Sequence, residues 1–179
     1  MNGGIRVYDD VLTSAQVNMY RTMLLSFCRF RYGERDSANA EPAGLTFDFT
    51  ETRHCLPPAC EKMLDNLLNI LYEKNSALKD MELDRIYLNV FLKNENPSFH
   101  RDGQDEDEDD ADEVVTCIFY LNPQMSLNDG GETQFLMEGE IKGILSKPGR
   151  LTIFDGNLLH RATSFANCER LTLAFKFFP

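Results

Sequence analysis

At 179 residues the chain has the length of one domain with room for an insertion. Its 42% hydrophobic and 11% aromatic residues suffice for a packed core, which excludes wholesale disorder, and no run of about 18 apolar residues supplies a membrane span. A net charge of −11 argues against a phosphate backbone as principal partner, so neither nucleic acid nor membrane is expected.

That acidity is local. Asp105 to Glu113 reads DEDEDDADE, eight acids in nine positions, and the rest of the chain carries only −3. Five cysteines, an odd number with no C-x-x-C spacing, point away from a disulfide framework and from a zinc ribbon. Met1 to Arg6 lacks the basic-then-apolar pattern of a secretory signal, so a cytoplasmic location is the expectation, and a monomer is the default.

In chain order, a short strand is expected at Ile5 to Tyr8. Thr13 or Ser14 then caps a helix whose apolar positions Val17, Tyr20, Leu24 and Phe27 recur every three or four residues. From Arg31 to Arg53 the pattern gives way to Gly, Pro, Asp, Ser and Asn, which reads as a long surface loop of the lid type with a short strand near Leu45 to Phe49. Pro57 and Pro58 open a second helix with one apolar stripe through Cys60, Leu64, Leu67, Leu68 and Leu71.

Beyond Lys79 the period changes to two. Ile86, Leu88, Val90 and Leu92 alternate with Tyr87, Asn89, Phe91 and Lys93. Further β runs are expected at Val114 to Leu121, Glu132 to Leu136, Leu151 to Phe154 and Leu171 to Phe178, separated by Asn, Pro and Gly turns. The pattern is that of one α+β domain over residues 1–179. Residues 1–80 give helical support and a lid loop, and residues 81–179 form a β core.

Three histidines are present, His54, His100 and His160. In an extended segment, His100 and Asp102 leave the same face and can share one metal ion. The pair alone is a weak signal, equally readable as a surface His beside a solvated Asp. His160, after a strand and a tight turn, would add a second imidazole. Two imidazoles and one carboxylate on one face of a cation form the facial triad of non-haem Fe(II) oxygenases. Zinc accepts the same donors but keeps fewer positions open, and is the second choice. His54 reads as structural or surface. Arg170 opens the last strand with Thr172 and Ala174 on its face, and a guanidinium entering a β core needs an anion. That anion is either a neighbouring acid such as Glu169 or Asp155, or the carboxylate of a ligand.

Together HRD at 100–102, VTCIFYLNP at 115–123, DGGETQF at 129–135, PGRLTIFDGNLLH at 148–160 and ERLTLAFKF at 169–177 resemble the Fe(II)/2-oxoglutarate-dependent dioxygenases, nearest to the prolyl 4-hydroxylase branch. The opening IRVYDDVLTSAQV also resembles the start of that branch. The resemblance implies a double-stranded β-helix (jelly-roll, cupin-like) core with the N-terminal helices on its major sheet. It implies His100, Asp102 and His160 as iron ligands. Arg170 stands where that family holds the distal carboxylate of 2-oxoglutarate, Tyr120 matches a tyrosine that often joins this contact, and Thr172 can add a hydrogen bond. Phe91 stands where the branch commonly has a tyrosine.

The implied cofactors are Fe(II), 2-oxoglutarate and O2, with ascorbate as accessory reductant. The implied reaction releases succinate and CO2 while hydroxylating an unactivated C–H of a prolyl or other residue in a polypeptide. Retention of Asp102, which related halogenases lack, points to hydroxylation. Alternatives are a hydroxylase of a free amino acid or small metabolite, and a non-catalytic metal-binding β-sandwich module. The acidic run can steer a cationic substrate to the pocket rim, but runs of like charge repel and extend, so a solvated loop is the simpler reading.

Overall fold

A computed structural model describes residues 4–34, 43–52, 55–103, 113–123 and 126–179. The chain opens with β1 (Arg6–Tyr8) and α1 (Ser14–Phe27). Thr13 caps α1 in a capping box: its hydroxyl accepts from the Gln16 amide at 3.3 Å, and the Gln16 side chain accepts from the Thr13 amide at 2.9 Å. Val17, Tyr20 and Leu24 turn inward, as their spacing requires.

The segment expected as a long loop from Arg31 to Arg53 carries the expected strand as β3 (Ala43–Asp48), and in addition β2 (Arg31–Glu34) and the one-turn helix α2 (Phe49–Thr52). The cause is tertiary. Leu45 to Asp48 pair antiparallel with Val90 to Tyr87 of β4 (Glu82–Phe91), and this ladder satisfies backbone groups that the polar local sequence would leave to water. His54, Met125 and the acidic run except Glu113 lie outside the described residues.

After α2 comes α3 (Pro58–Lys74), which starts on the proline pair and buries Cys60, Met63, Leu64, Leu67, Leu68 and Leu71, with Glu61, Lys62 and Asp65 exposed. Beyond β4 follow β5 (Val115–Tyr120), β6 (Thr133–Met137), β7 (Glu140–Ile144), β8 (Leu151–Asp155), β9 (His160–Ala162) and β10 (Arg170–Phe178). No strand is expected from sequence at β7, because Glu140–Gly143 are all exposed and leave no alternating signature. It forms as the return arm of a hairpin through Glu138 (φ 52°) and Gly139 (φ 82°), both in the left-handed region that two-residue hairpins favour. Among the described residues no helix is long and apolar enough to cross a membrane.

The strands form two antiparallel sheets, a seven-stranded one in the order β1-β8-β5-β10-β4-β3-β2 and a three-stranded one in the order β7-β6-β9. Period-two alternation divides the large sheet into two working faces. Leu88 and Val90, Cys117 and Phe119, and Leu171, Leu173 and Phe175 pack outward against α1 and α3. Tyr87, Ile118, Tyr120, Phe154 and Ala174 face the small sheet and meet Phe135 of β6. Between these inner faces the packing is incomplete, and a cavity remains.

Candidate active site

The cavity has a volume of about 160 Å³. The β4–β10–β5 register lines one wall with cross-strand rows of side chains: Phe91 beside Arg170, Asn89 beside Thr172, Tyr87 beside Ala174 and Ile118, and Arg85 beside Lys176 and Thr116. Arg170 and Lys176 stand six residues apart on one face, a Cα span of about 20 Å for extended chain.

At the Lys176 end, His100, Asp102 and His160 converge, with one ligand atom from each lying within 4.8 Å of the others. Their convergence is made by the backbone. His100 and His160 form an antiparallel bridge, and the Asp102 amide donates to the Gly156 carbonyl at 2.8 Å in the turn after β8. Gly156 is required there, since a Cβ would lie 3.0 Å from that of Asp102 and 2.9 Å from a Val114 methyl.

Both imidazoles are oriented for ligation. His160 Nδ1 donates to the Leu158 carbonyl at 2.7 Å and His100 Nδ1 to the Ser98 carbonyl at 3.2 Å, which leaves each Nε2 as the lone-pair atom. Those Nε2 atoms lie 3.6 and 3.7 Å from the Asp102 carboxylate. The His160 ring is wedged between Phe154, at 4.8 Å edge to face, and Phe135, stacked at 5.9 Å. Burial pushes its pKa down to about 4, so it is a neutral base at physiological pH. Burial alone would raise Asp102, but the Lys176 ammonium beside it holds it well below the usual carboxylate range. The site offers two imidazole nitrogens and one anionic oxygen to a divalent cation, and this donor set fits ferrous iron.

At the far end Arg170 is 1% exposed. It donates from Nε to the Gly131 carbonyl at 3.1 Å, from Nη2 to Thr133 Oγ1 at 2.8 Å and from Nη1 to Thr172 Oγ1 at 3.4 Å. Neither acid weighed as its partner from sequence takes that role. Glu169 pairs with Arg21, and Asp155 Oδ1 accepts from the Asn157 amide. Among the described residues no carboxylate forms an ion pair with Arg170. This buried cation thus donates its hydrogen bonds to neutral oxygens at the end of a cavity, with the charge of Glu132 acting on it from beyond ion-pair distance.

A model of the 2OG-Fe(II) oxygenase superfamily matches residues 87–178, which carry the whole site. The chain belongs to the 2OG-Fe(II) oxygenase superfamily. This superfamily member is an oxidoreductase of a class that uses Fe(II), 2-oxoglutarate and O2. No curated protein sequence matches it significantly.

Solved structures are similar throughout its length. A prolyl 4-hydroxylase from Pseudomonas putida is 16% identical, with 99% of this chain and 93% of that one covered and a TM-score of 0.68. A Trichoplax adhaerens prolyl hydroxylase in complex with a hypoxia-inducible-factor peptide is 16% identical, with 99% and 84% covered and a TM-score of 0.70. HygX from Streptomyces hygroscopicus, with nickel and 2-oxoglutarate bound, is 15% identical, with 99% and 83% covered and a TM-score of 0.71. This likeness shows the fold, a double-stranded β-helix whose large sheet carries the helices.

The superfamily member's residues singled out from sequence are found at the two ends of one cavity, with one difference in position. Tyr120 is fully buried behind the wall: its hydroxyl shares a 2.7 Å hydrogen bond with Thr133 Oγ1, and the Arg170 guanidinium lies 5.6 Å from its ring centre. Thr133, not expected from sequence, is the group that reaches the cavity there. Lys176 and Thr116, which no sequence motif singles out, also line the cavity. The alternation that puts Arg170, Thr172 and Ala174 on one face reaches Lys176 two residues later, so that signal was present.

Proposed function

We propose that this oxygenase is prolyl 4-hydroxylase-like and hydroxylates a prolyl or other residue of a polypeptide, with His100, Asp102 and His160 holding iron. Arg170, assisted by Thr172 and Thr133, grips the distal carboxylate of 2-oxoglutarate, and Tyr120 acts through Thr133. The observation that carries the reading is the buried guanidinium of Arg170, without an ion-pair partner among the described residues, facing a three-donor metal site down one cavity. Bound iron would supply the oxidising chemistry, with one atom of O2 going to succinate as 2-oxoglutarate loses CO2 and the other going into the substrate C–H. The chain's own contribution is to hold two imidazoles by their Nδ1 atoms, keep Asp102 ionised and wall the site with Phe91, Ile118 and Ala174 against water.

A polypeptide substrate is supported by the cavity size. A volume of about 160 Å³ is below the usual range of about 300–1,000 Å³ for small-molecule sites. Once a diacid occupies it, the substrate must reach in with one side chain from outside. The reading treats residues 1–179 as one catalytic domain, residues 1–80 supporting the β core. It places the protein in the cytoplasm, where its five free thiols stay reduced.

The test is succinate release from 2-oxoglutarate with Fe(II), ascorbate and air, alone and with proline-containing peptides. Peptide-stimulated succinate together with a peptide heavier by one oxygen atom supports the proposal. Stimulation only by free amino acids or small metabolites transfers it to the second substrate class. No succinate under any condition leaves a non-catalytic metal-binding module.

A further inference from the structure

Among the described residues Asp102 is the one acid lining the cavity, and its side chain is 3% exposed. Both oxygens are engaged without any metal. Lys176 Nζ donates to Oδ1 at 2.8 Å and Thr116 Oγ1 to Oδ2 at 2.5 Å. Lys176 and Thr116 are register partners on β10 and β5, so one row of the large sheet addresses the whole carboxylate. The lysine side chain is itself 15% exposed, and its ammonium lies 5.4 Å from the centre of the Tyr87 ring.

We propose that Lys176 is a resident counter-ion of the metal site, holding Asp102 between the two imidazoles before the metal arrives and competing with the metal for that carboxylate afterwards. The inference rests on the metal-site reading above. A buried carboxylate without a partner strongly destabilises a fold, so a metal-free form of this site needs a cation near Asp102, and Lys176 supplies it. A divalent ion binding to the same carboxylate then meets a fixed positive charge in a poorly screened cavity, and its affinity is reduced. Lys176 is therefore a positioning residue: it acts on the metal through Asp102.

The experiment compares wild type, Lys176→Met and Lys176→Arg, by titration with Mn2+ in calorimetry and by thermal unfolding with and without Mn2+. Met matches the length of the lysine stem without its charge. The expected result is Mn2+ binding about ten- to a hundredfold tighter in Lys176→Met, the equivalent of one charged hydrogen bond no longer in competition. Its metal-free melting temperature falls, and Mn2+ raises that temperature by more than in wild type. Lys176→Arg, which keeps the charge, retains wild-type Mn2+ affinity.

Should Lys176→Met fold only with Mn2+ present, its affinity is read by competition with a chelator, and the expected order is the same. Equal or weaker Mn2+ affinity in Lys176→Met overturns the proposal. Absence of Mn2+ binding by wild type overturns the metal-site reading instead, so the two failures are distinct.

Discussion

His100 and His160, sixty residues apart in the chain, exchange both backbone hydrogen bonds, each amide donating to the other's carbonyl at 2.9 Å. Main-chain pairing therefore brings the two imidazoles to 4.4 Å between ring centres before any metal is involved. The side chains can be removed without removing the bridge that aligns them.

His160→Ala accordingly keeps its fold and loses its function. The expected stability loss is about 1–3 kcal/mol for emptying the slot between Phe135 and Phe154. Mn2+ no longer raises the melting temperature, and succinate production stops. Thermal unfolding with and without Mn2+ reads both effects; retained turnover would remove His160 from the ligand set.

Arg170→Ala removes the guanidinium that faces the cavity end and leaves the metal donors in place. The concentration of 2-oxoglutarate for half-maximal succinate production should rise about ten- to a hundredfold, while Mn2+ affinity stays within about twofold. An unchanged 2-oxoglutarate requirement would show that another group takes the distal carboxylate.

Gly131 anchors that arginine through its carbonyl and has φ +83°, and a Cβ there would lie 2.2 Å from the Phe165 ring. Gly139 has nearly the same φ, +82°, with nothing within 4 Å. Gly131→Ala should cost about 2–4 kcal/mol, from left-handed backbone and overpacking together, and should weaken 2-oxoglutarate binding. Gly139→Ala should cost about 1–2 kcal/mol, from the backbone alone, and leave the 2-oxoglutarate requirement unchanged. Denaturant unfolding of the pair separates the two contributions; equal losses would contradict the contact with Phe165.

The thiols divide by burial. Burial pushes Cys28 up to about 12, with Cys60 adding to the effect, and raises Cys60 and the fully enclosed Cys117 as well. Cys55 is exposed. At pH 8, iodoacetamide should label Cys55 first and reach Cys28, Cys60 and Cys117 only on unfolding. Peptide mass mapping gives the order, and early labelling of Cys117 would contradict its placement in the core.

Much of this site follows from patterns that local chemistry imposes. Period two in β10 puts Arg170 and Thr172 on one face whatever else happens, and an extended H-x-D segment puts His100 beside Asp102. The apolar stripe of α3 needs a sheet to cover it, and Thr13 with Gln16 marks where α1 begins. These are properties of neighbours in sequence, so the sequence by itself determined them.

Which partner each group meets was decided by the tertiary structure. β3 found its place because β4 offered a ladder and β2 paired on its other side, and Tyr120 turned its hydroxyl to Thr133 because β6 lies across the cavity. Lys176 could be assigned a face from sequence, but its contact with Asp102 joins a strand of the large sheet to a loop held by the turn after β8. Local propensity acts over a few residues, whereas an ion pair spanning 74 positions exists only once the chain has closed around it.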